Sequence, residues 1–412
     1  MGCTNNTEVI PARVVSGSMA PHYLGEHWEV HCEDCGFTFR CGVEHPPDGM
    51  LAVCPNCGYA ENEVVEDERL PGSAVDVVPR DFADEPPRRW EVVAFNEPGE
   101  DRVAVKRVVG LPGEKVSIRA GDVFVDGHRA QKSMQEFAAL GQLLCDPSYF
   151  PKSLDGLPPR WHTAERDSRW ESVANEVRPG SYQCLHSTQT ATDFDWLAYR
   201  HINATSAADR TQSGRILDNY AYNQGLARGL NAVSDVVIVC GVKISDGGEF
   251  AIRLWEGEQP LVVALVPREN IVTLTHGDIL LAEAPTSTPL AGGEILNMKL
   301  GFVDHRVLVE IDDELTLALD LDSTSPAIIP SDVSLALACR NLDAEVQGPM
   351  PLRDIYYLNP HHRPVDWEME VPLGEDEYFL LGDNPPNSRD SRHYGPVTGA
   401  ARMGTVENRM TD

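Results

Sequence analysis

Val103-Ala-Val-Lys106-Arg107-Val-Val-Gly110-Leu-Pro-Gly113 places one lysine inside an apolar strand and closes the strand with a Pro-Gly turn. The alternation of a strand sends Lys106 and Arg107 to opposite faces, so Arg107 is expected to meet a carboxylate away from Lys106. Strand signals spread outward from this stretch. WEVVAF (90–95) precedes it, and VSI and the hairpin-like GDVFVDGH follow it, so residues 73–130 read as strands and turns. MQEFAALGQLL (134–144) has the apolar spacing of one short helix, and the Pro- and Trp-rich stretch up to 180 reads as loops. From 181 to 357 short alternating runs return: DVVIVCGVKIS, EFAIRLWEG, LVVALVP, NMKLGFVDHRVLVEID and VSLALACRN, bounded by GG, DG or Pro. The fold class is therefore mostly β, with a sandwich or jelly roll in the second half.

The chain has 412 residues with 64 acidic against 34 basic side chains, a net charge of −30. That length predicts two or three domains, and an apolar fraction of 42% excludes a wholly disordered chain. Such acidity excludes a general nucleic-acid binder and disfavours electrostatic docking on anionic lipid. No apolar run approaches the roughly 18–20 residues of a membrane span, and the first residues lack the basic start and apolar core of a secretory signal. No internal repeat of fixed period is present.

Ten cysteines, at 3, 32, 35, 41, 54, 57, 145, 184, 240 and 339, are too unevenly spaced for a disulfide framework. Four of them form two knuckles, Cys32-Glu-Asp-Cys35-Gly and Cys54-Pro-Asn-Cys57-Gly, with 18 residues between. Each knuckle aims two thiolates at one ion from a tight turn, and the glycine allows the left-handed backbone that such a turn needs. Two knuckles make a closed tetrahedral site, so the expected metal is a structural zinc on Cys32, Cys35, Cys54 and Cys57. Cys41, His31 and His45 are read as bystanders because four sulfurs fill the shell.

Two further motifs carry chemistry. Ser16-Gly17-Ser18-Met19-Ala20-Pro21 lies near the start, and Gly382-Asp383-Asn384-Pro385-Pro386-Asn387-Ser388-Arg389-Asp390-Ser391-Arg392 near the end. Either alone reads as a polar turn. With Lys106-Arg107-Val-Val-Gly-Leu-Pro-Gly113 between them, and with Arg89-Trp90-Glu-Val-Val-Ala-Phe95 before it, the set resembles the boxes of the type I signal peptidases, serine proteases with a Ser-Lys dyad. The resemblance covers about residues 12–30, 73–130 and 377–408. It implies Ser18 as nucleophile and Lys106 as general base. It further implies that Ser16 assists the oxyanion hole, that Ser388 positions the lysine amine, and that Asp390 and Arg392 pair behind it. The family pattern has Arg-Asp where this chain has Pro385-Pro386, so any ionic contact of those two side chains is missing here.

The chemistry of such a dyad follows from the residue types. An ordinary lysine, with a pKa of about 10.4, is charged at neutral pH and cannot accept a proton. Burial in an apolar wall, for which Val105, Val108 and Val109 are candidates, lowers that pKa. Lys106 could then take the Ser18 proton as the hydroxyl attacks a peptide carbonyl, with the Ser18 amide and Ser16 hydroxyl meeting the oxyanion. A cleft with open strand edges binds an extended peptide as an added strand, and shallow pockets select small side chains at alternate positions.

The expected organisation is a protease domain from 1–30, 70–140 and 358–412, a zinc ribbon at 31–60, and a β-sandwich insert at 181–357 with a pattern-level likeness to concanavalin-like jelly rolls. Arg353–Tyr357 returns the chain to the protease sheet. Trp255, Tyr220 and Tyr222 are either core and edge aromatics or a carbohydrate face. The resemblance implies an endopeptidase that removes signal peptides from exported pre-proteins with small residues before the cut. It also implies membrane association, with the catalytic domain outside the cytoplasm, although no span precedes Ser18. A self-cleaving repressor-type Ser-Lys peptidase and a catalytically inactive binding scaffold remain as alternatives, and the ligand of the sandwich is left open.

Overall fold

A computed structural model describes residues 9–409 apart from 155, 164–166, 174, 176–178, 186–192, 206–209, 257–258, 322–334, 364 and 400–402. The described residues are organised by strands; the α-helices among them are the short Met134–Ala138 and Ser391–Tyr394. No helix among the described residues is long and apolar enough to cross a membrane.

A seven-stranded sheet carries the sequence boxes. Its order is Ile10–Arg13, Ala74–Arg80, Met403–Asn408, Val92–Asn96, Val103–Gly110, Glu377–Leu381 and Val397–Thr398. The lysine strand therefore lies between the strand before it in sequence and the strand that leads into the Gly-Asp-Asn turn. A smaller sheet, Val116–Arg119, Asp122–Val125, His128–Arg129 and Trp367–Glu368, packs beside it over a core that includes Trp90, Val109, Ile118 and Phe379.

The second half forms two large antiparallel sheets, of eight and seven strands, that enclose one core. Inward residues such as Leu300, Val309, Phe250 and Leu337 alternate with neighbours that face away from this core. Its limits differ from the expected 181–357. Gln142–Leu143, at the end of the stretch read as helix, and Trp161–Thr163 and Trp170–Ser172, in the stretch read as loops, pair into these sheets. Trp161 and Trp170 are buried in the shared core, and burial of two large aromatic rings fixes strands too short to show a period. The helix is shorter than 134–144 suggested: a Ser133–Glu136 capping box starts it, it ends at Ala138, and 142–143 is already strand. One disulfide is present among the described residues, Cys184–Cys339, linking strands of the two facing sheets.

The cysteine-rich unit is wider than 31–60. His27–His31 pairs with Thr38–Gly42 and with Arg69–Leu70, and Leu51–Ala52 pairs with Asn62–Glu63. Its small core gathers Trp28, Val30, Phe39 and Tyr59 around the four knuckle cysteines.

Candidate functional site

Lys106 is 4% exposed, and its Nζ donates to Ser18 Oγ at 2.8 Å and to the Val105 carbonyl at 3.0 Å. Strand alternation decides which wall it meets. Val93 lies directly across from it and Val108 shares its face, both in a core with Phe95 and Leu380. Val105 and Val109 belong to clusters on the other side, so of the three valines proposed as its wall only Val108 serves. Burial lowers the Lys106 pKa to about 8, against Asp390, Glu97 and Asp383, which favour the charged form.

Arg107 turns away, as alternation requires, and grips the Asp383 carboxylate at 2.7 and 2.5 Å while also donating to the Trp90 carbonyl at 2.6 Å. Burial raises the Asp383 carboxyl, but Arg107 and His22 outweigh it and hold the group well below the usual range. This pair ties the lysine strand to the Gly-Asp-Asn turn.

The nucleophile turn is held from several sides. Ser18 is 6% exposed and its carbonyl accepts from Asn384 N at 3.1 Å. Asn384 Nδ2 donates to the Gly17 carbonyl at 2.8 Å, and Asn384 exchanges two hydrogen bonds with Asn223 at 2.6 and 3.1 Å. Gly17 N donates at 3.0 Å to Glu44 Oε2 of the cysteine-rich unit, which also receives the Asn387 amide. A Cβ on Gly17 would meet the Tyr222 ring, so glycine is required by this close approach.

The remaining box residues come to the same place with altered partners. Ser16 Oγ donates to Ser18 Oγ at 3.2 Å. Ser388, expected to hold the lysine amine, donates to Asp390 Oδ2 at 2.6 Å. The Asp390 carboxylate is the better acceptor, and it sits two residues away. Asp390 and Arg392 do pair, at 2.7 Å with both side chains fully buried, and Asp390 also caps the Ser391–Tyr394 helix. Burial raises the Asp390 carboxyl, yet Arg392 and His393 pull it well below its ordinary range. Pro385-Pro386, where the family has charged residues, opens a short 3-10 turn with Pro385 buried.

Tyr220 and Tyr222 are not a surface for sugars. Both are buried, and their hydroxyls donate to the carbonyls of Asp383 at 2.9 Å and Glu26 at 3.1 Å. Sequence reasoning missed Glu44, Asn223 and Asn384 as supports of the nucleophile. Asn384 stood inside a quoted motif; Glu44 and Asn223 had no local signal.

The four knuckle sulfurs lie within 4.8 Å of one another and are buried, with Cys32–Cys57 at 3.6 Å and Cys35–Cys54 at 3.8 Å. A tetrahedral zinc with Zn–S bonds of about 2.3 Å sets its sulfurs about 3.8 Å apart, so the residues fit such an ion. Asn62 braces the cage by accepting from Glu33 N and donating to the Ala52 and Tyr59 carbonyls. Cys41 is buried in the same small core but outside the cluster.

Among solved structures, the chain is similar to carbohydrate-binding module CBM66 from Bacillus subtilis, at 13% identity over 48% of this chain and 92% of that one, TM-score 0.26. A Caenorhabditis elegans galectin, LEC-6, matches at 11% identity over 28% and 82%, TM-score 0.21. Chicken galectin 2 matches at 14% identity over 26% and 88%, TM-score 0.21. Similarities this distant say nothing about what the chain binds. No curated protein matches. The family model described as "Signal peptidase, peptidase S26" matches residues 45–190 and 352–411, half of the chain, taking in Lys106 and the final box and starting beyond Ser18. The chain thus belongs to the signal peptidase family, peptidase S26.

Proposed function

We propose that this member of the family is a serine endopeptidase working through a Ser18–Lys106 dyad on exported pre-proteins. The observation that carries the reading is the 2.8 Å contact between a buried lysine amine and a buried serine hydroxyl. With a pKa of about 8, a useful fraction of Lys106 is neutral near pH 8. The neutral amine takes the Ser18 proton as Oγ attacks the scissile carbonyl. The resulting ammonium returns a proton to the leaving amine, and the same base then activates the water that releases the acyl group. The Ser18 N–H, which no acceptor engages among the described residues, is available to the oxyanion. The family relationship supports extended substrates with small side chains at alternate positions, and association with a membrane face follows from the same relationship.

We assign zinc to the Cys32, Cys35, Cys54 and Cys57 cluster. Bound there it supplies a rigid cross-link and no reactive water, since all four positions are thiolates. The test is cleavage of a peptide carrying small residues at alternate positions before one bond, followed by mass spectrometry. Wild type should cut it and Ser18→Ala should not. An intact peptide with both proteins, in detergent and in lipid, supports the binding-scaffold alternative instead.

A further inference from the structure

Three parts of the chain enclose a cavity of about 370 Å³ that the dyad does not use. Phe37 and Phe39 of the cysteine-rich unit form one wall, Leu24 of the segment after the nucleophile another, and Leu144, Ile202 and Tyr220 the third. Mostly apolar walls with a few convergent polar groups are what small-molecule sites have in common.

The polar groups on the wall are uneven in how they are satisfied. His201 contacts the Tyr199 hydroxyl and Asn203, His27 the Gly25 carbonyl, and Arg40 is paired with Glu29. Arg353 differs. It is 1% exposed, its hydrogen bonds go to the carbonyls of Asp354 and Asn219, and no carboxylate pairs with it among the described residues. The carboxylate of its neighbour Asp354 is taken by Lys132 at 2.8 Å. Directly across the strand pair from Arg353 is Gln142, 6% exposed. Its amide nitrogen, near Tyr220, has no hydrogen-bond partner of ordinary geometry. A buried guanidinium that has the Tyr220 ring at 4.9 Å but no anion, and a buried amide that reaches the Tyr220 hydroxyl without ordinary hydrogen-bond geometry, are cross-strand neighbours on one cavity wall.

We infer that this cavity is a binding site for a small organic monocarboxylate, its carboxylate held by Arg353 and Gln142 and its apolar body by the phenylalanine and leucine walls. An Arg fork and an amide N–H together match the two oxygens of a carboxylate. At about 30 Å³ per water-sized unit, the volume holds about a dozen non-hydrogen atoms.

Octanoate is a suitable probe, with 1-octanol as its uncharged counterpart, each titrated calorimetrically into the full chain. Octanoate is expected to bind one per chain and at least tenfold more tightly than 1-octanol. Arg353→Lys, which keeps the charge and loses the fork, should weaken octanoate tenfold or more. Because that arginine is buried, its variant can fail for want of a fold, so a second variant is needed. Ala204→Leu leaves Arg353 intact, fills part of the cavity and should abolish octanoate binding. Octanoate binding no tighter than 1-octanol, absent at millimolar concentration, or unchanged in Ala204→Leu would overturn the inference.

Discussion

Arg107 and Asp383 clasp each other through two hydrogen bonds, one residue beyond Lys106 and one before Asn384. Both side chains are buried, at 3% and 0% exposure, so neither charge has water to fall back on. Cutting a buried pair by removing one partner costs about 3–5 kcal/mol, because the other is left uncompensated. Asp383→Ala is expected to lower the denaturant midpoint by an amount of that order. Arg40→Ala, which removes an exposed partner of Glu29, should move the midpoint far less. Chemical denaturation of the two variants measures the contrast.

The opposite faces of Lys106 and Arg107 were legible from strand period alone, and so was a carboxylate partner for Arg107. The knuckle cysteines were legible from spacing. What the sequence hid was long-range. Trp161–Thr163 and Trp170–Ser172 are three-residue strands with no period to read, and only the pairing partners Tyr199 and Cys184, far along the chain, define them. Glu44 reaches Gly17 across 27 residues, and Asn223 reaches Asn384 across 161. A glutamate and an asparagine in polar stretches look like solvent-facing residues until the fold brings them together. The Ser388 assignment came from the family resemblance, and here Asp390 draws that hydroxyl away.

The cysteine-rich unit touches the nucleophile turn through Glu44. Glu44→Ala should therefore lower kcat about tenfold while KM changes little, and Glu44→Gln, which keeps one acceptor oxygen, should recover most of the rate. Cys54→Ser should loosen the same contact from the metal side. Metal analysis of wild type should give about one zinc per chain, with tetrathiolate spectra after cobalt exchange. A fully folded, active chain without metal would contradict the assignment.

Asp122, Asp235 and Asp304 bring their carboxylates within 4.8 Å of one another where the smaller sheet meets the sandwich, with Lys132 bonded to Asp304 at 2.8 Å and Arg129 to Asp122 at 2.8 Å. Burial and mutual repulsion raise all three, Asp122 to about 6, although Lys132 and Arg129 oppose this at Asp304 and Asp122. A carboxyl whose folded pKa is raised binds more protons folded than unfolded, so its contribution is present at low pH and fades as pH rises through the folded value. For Asp122 that window runs from about pH 4 to 6. Asp235→Asn should raise the melting temperature relative to wild type increasingly as pH climbs from 4 to 8. A constant difference across that range would contradict the reading.

The dyad itself is tested most directly by the pH dependence of peptide cleavage in wild type and Lys106→Arg. If Lys106 is the base, kcat/KM rises about tenfold per pH unit below pH 8 and levels off above it, since burial lowers the amine pKa to about 8. Lys106→Arg keeps the charge but cannot release its proton, so it should be inactive at every pH. A wild-type profile with no inflection near pH 8, or a Lys106→Arg enzyme that cuts as fast as wild type, would contradict the mechanism.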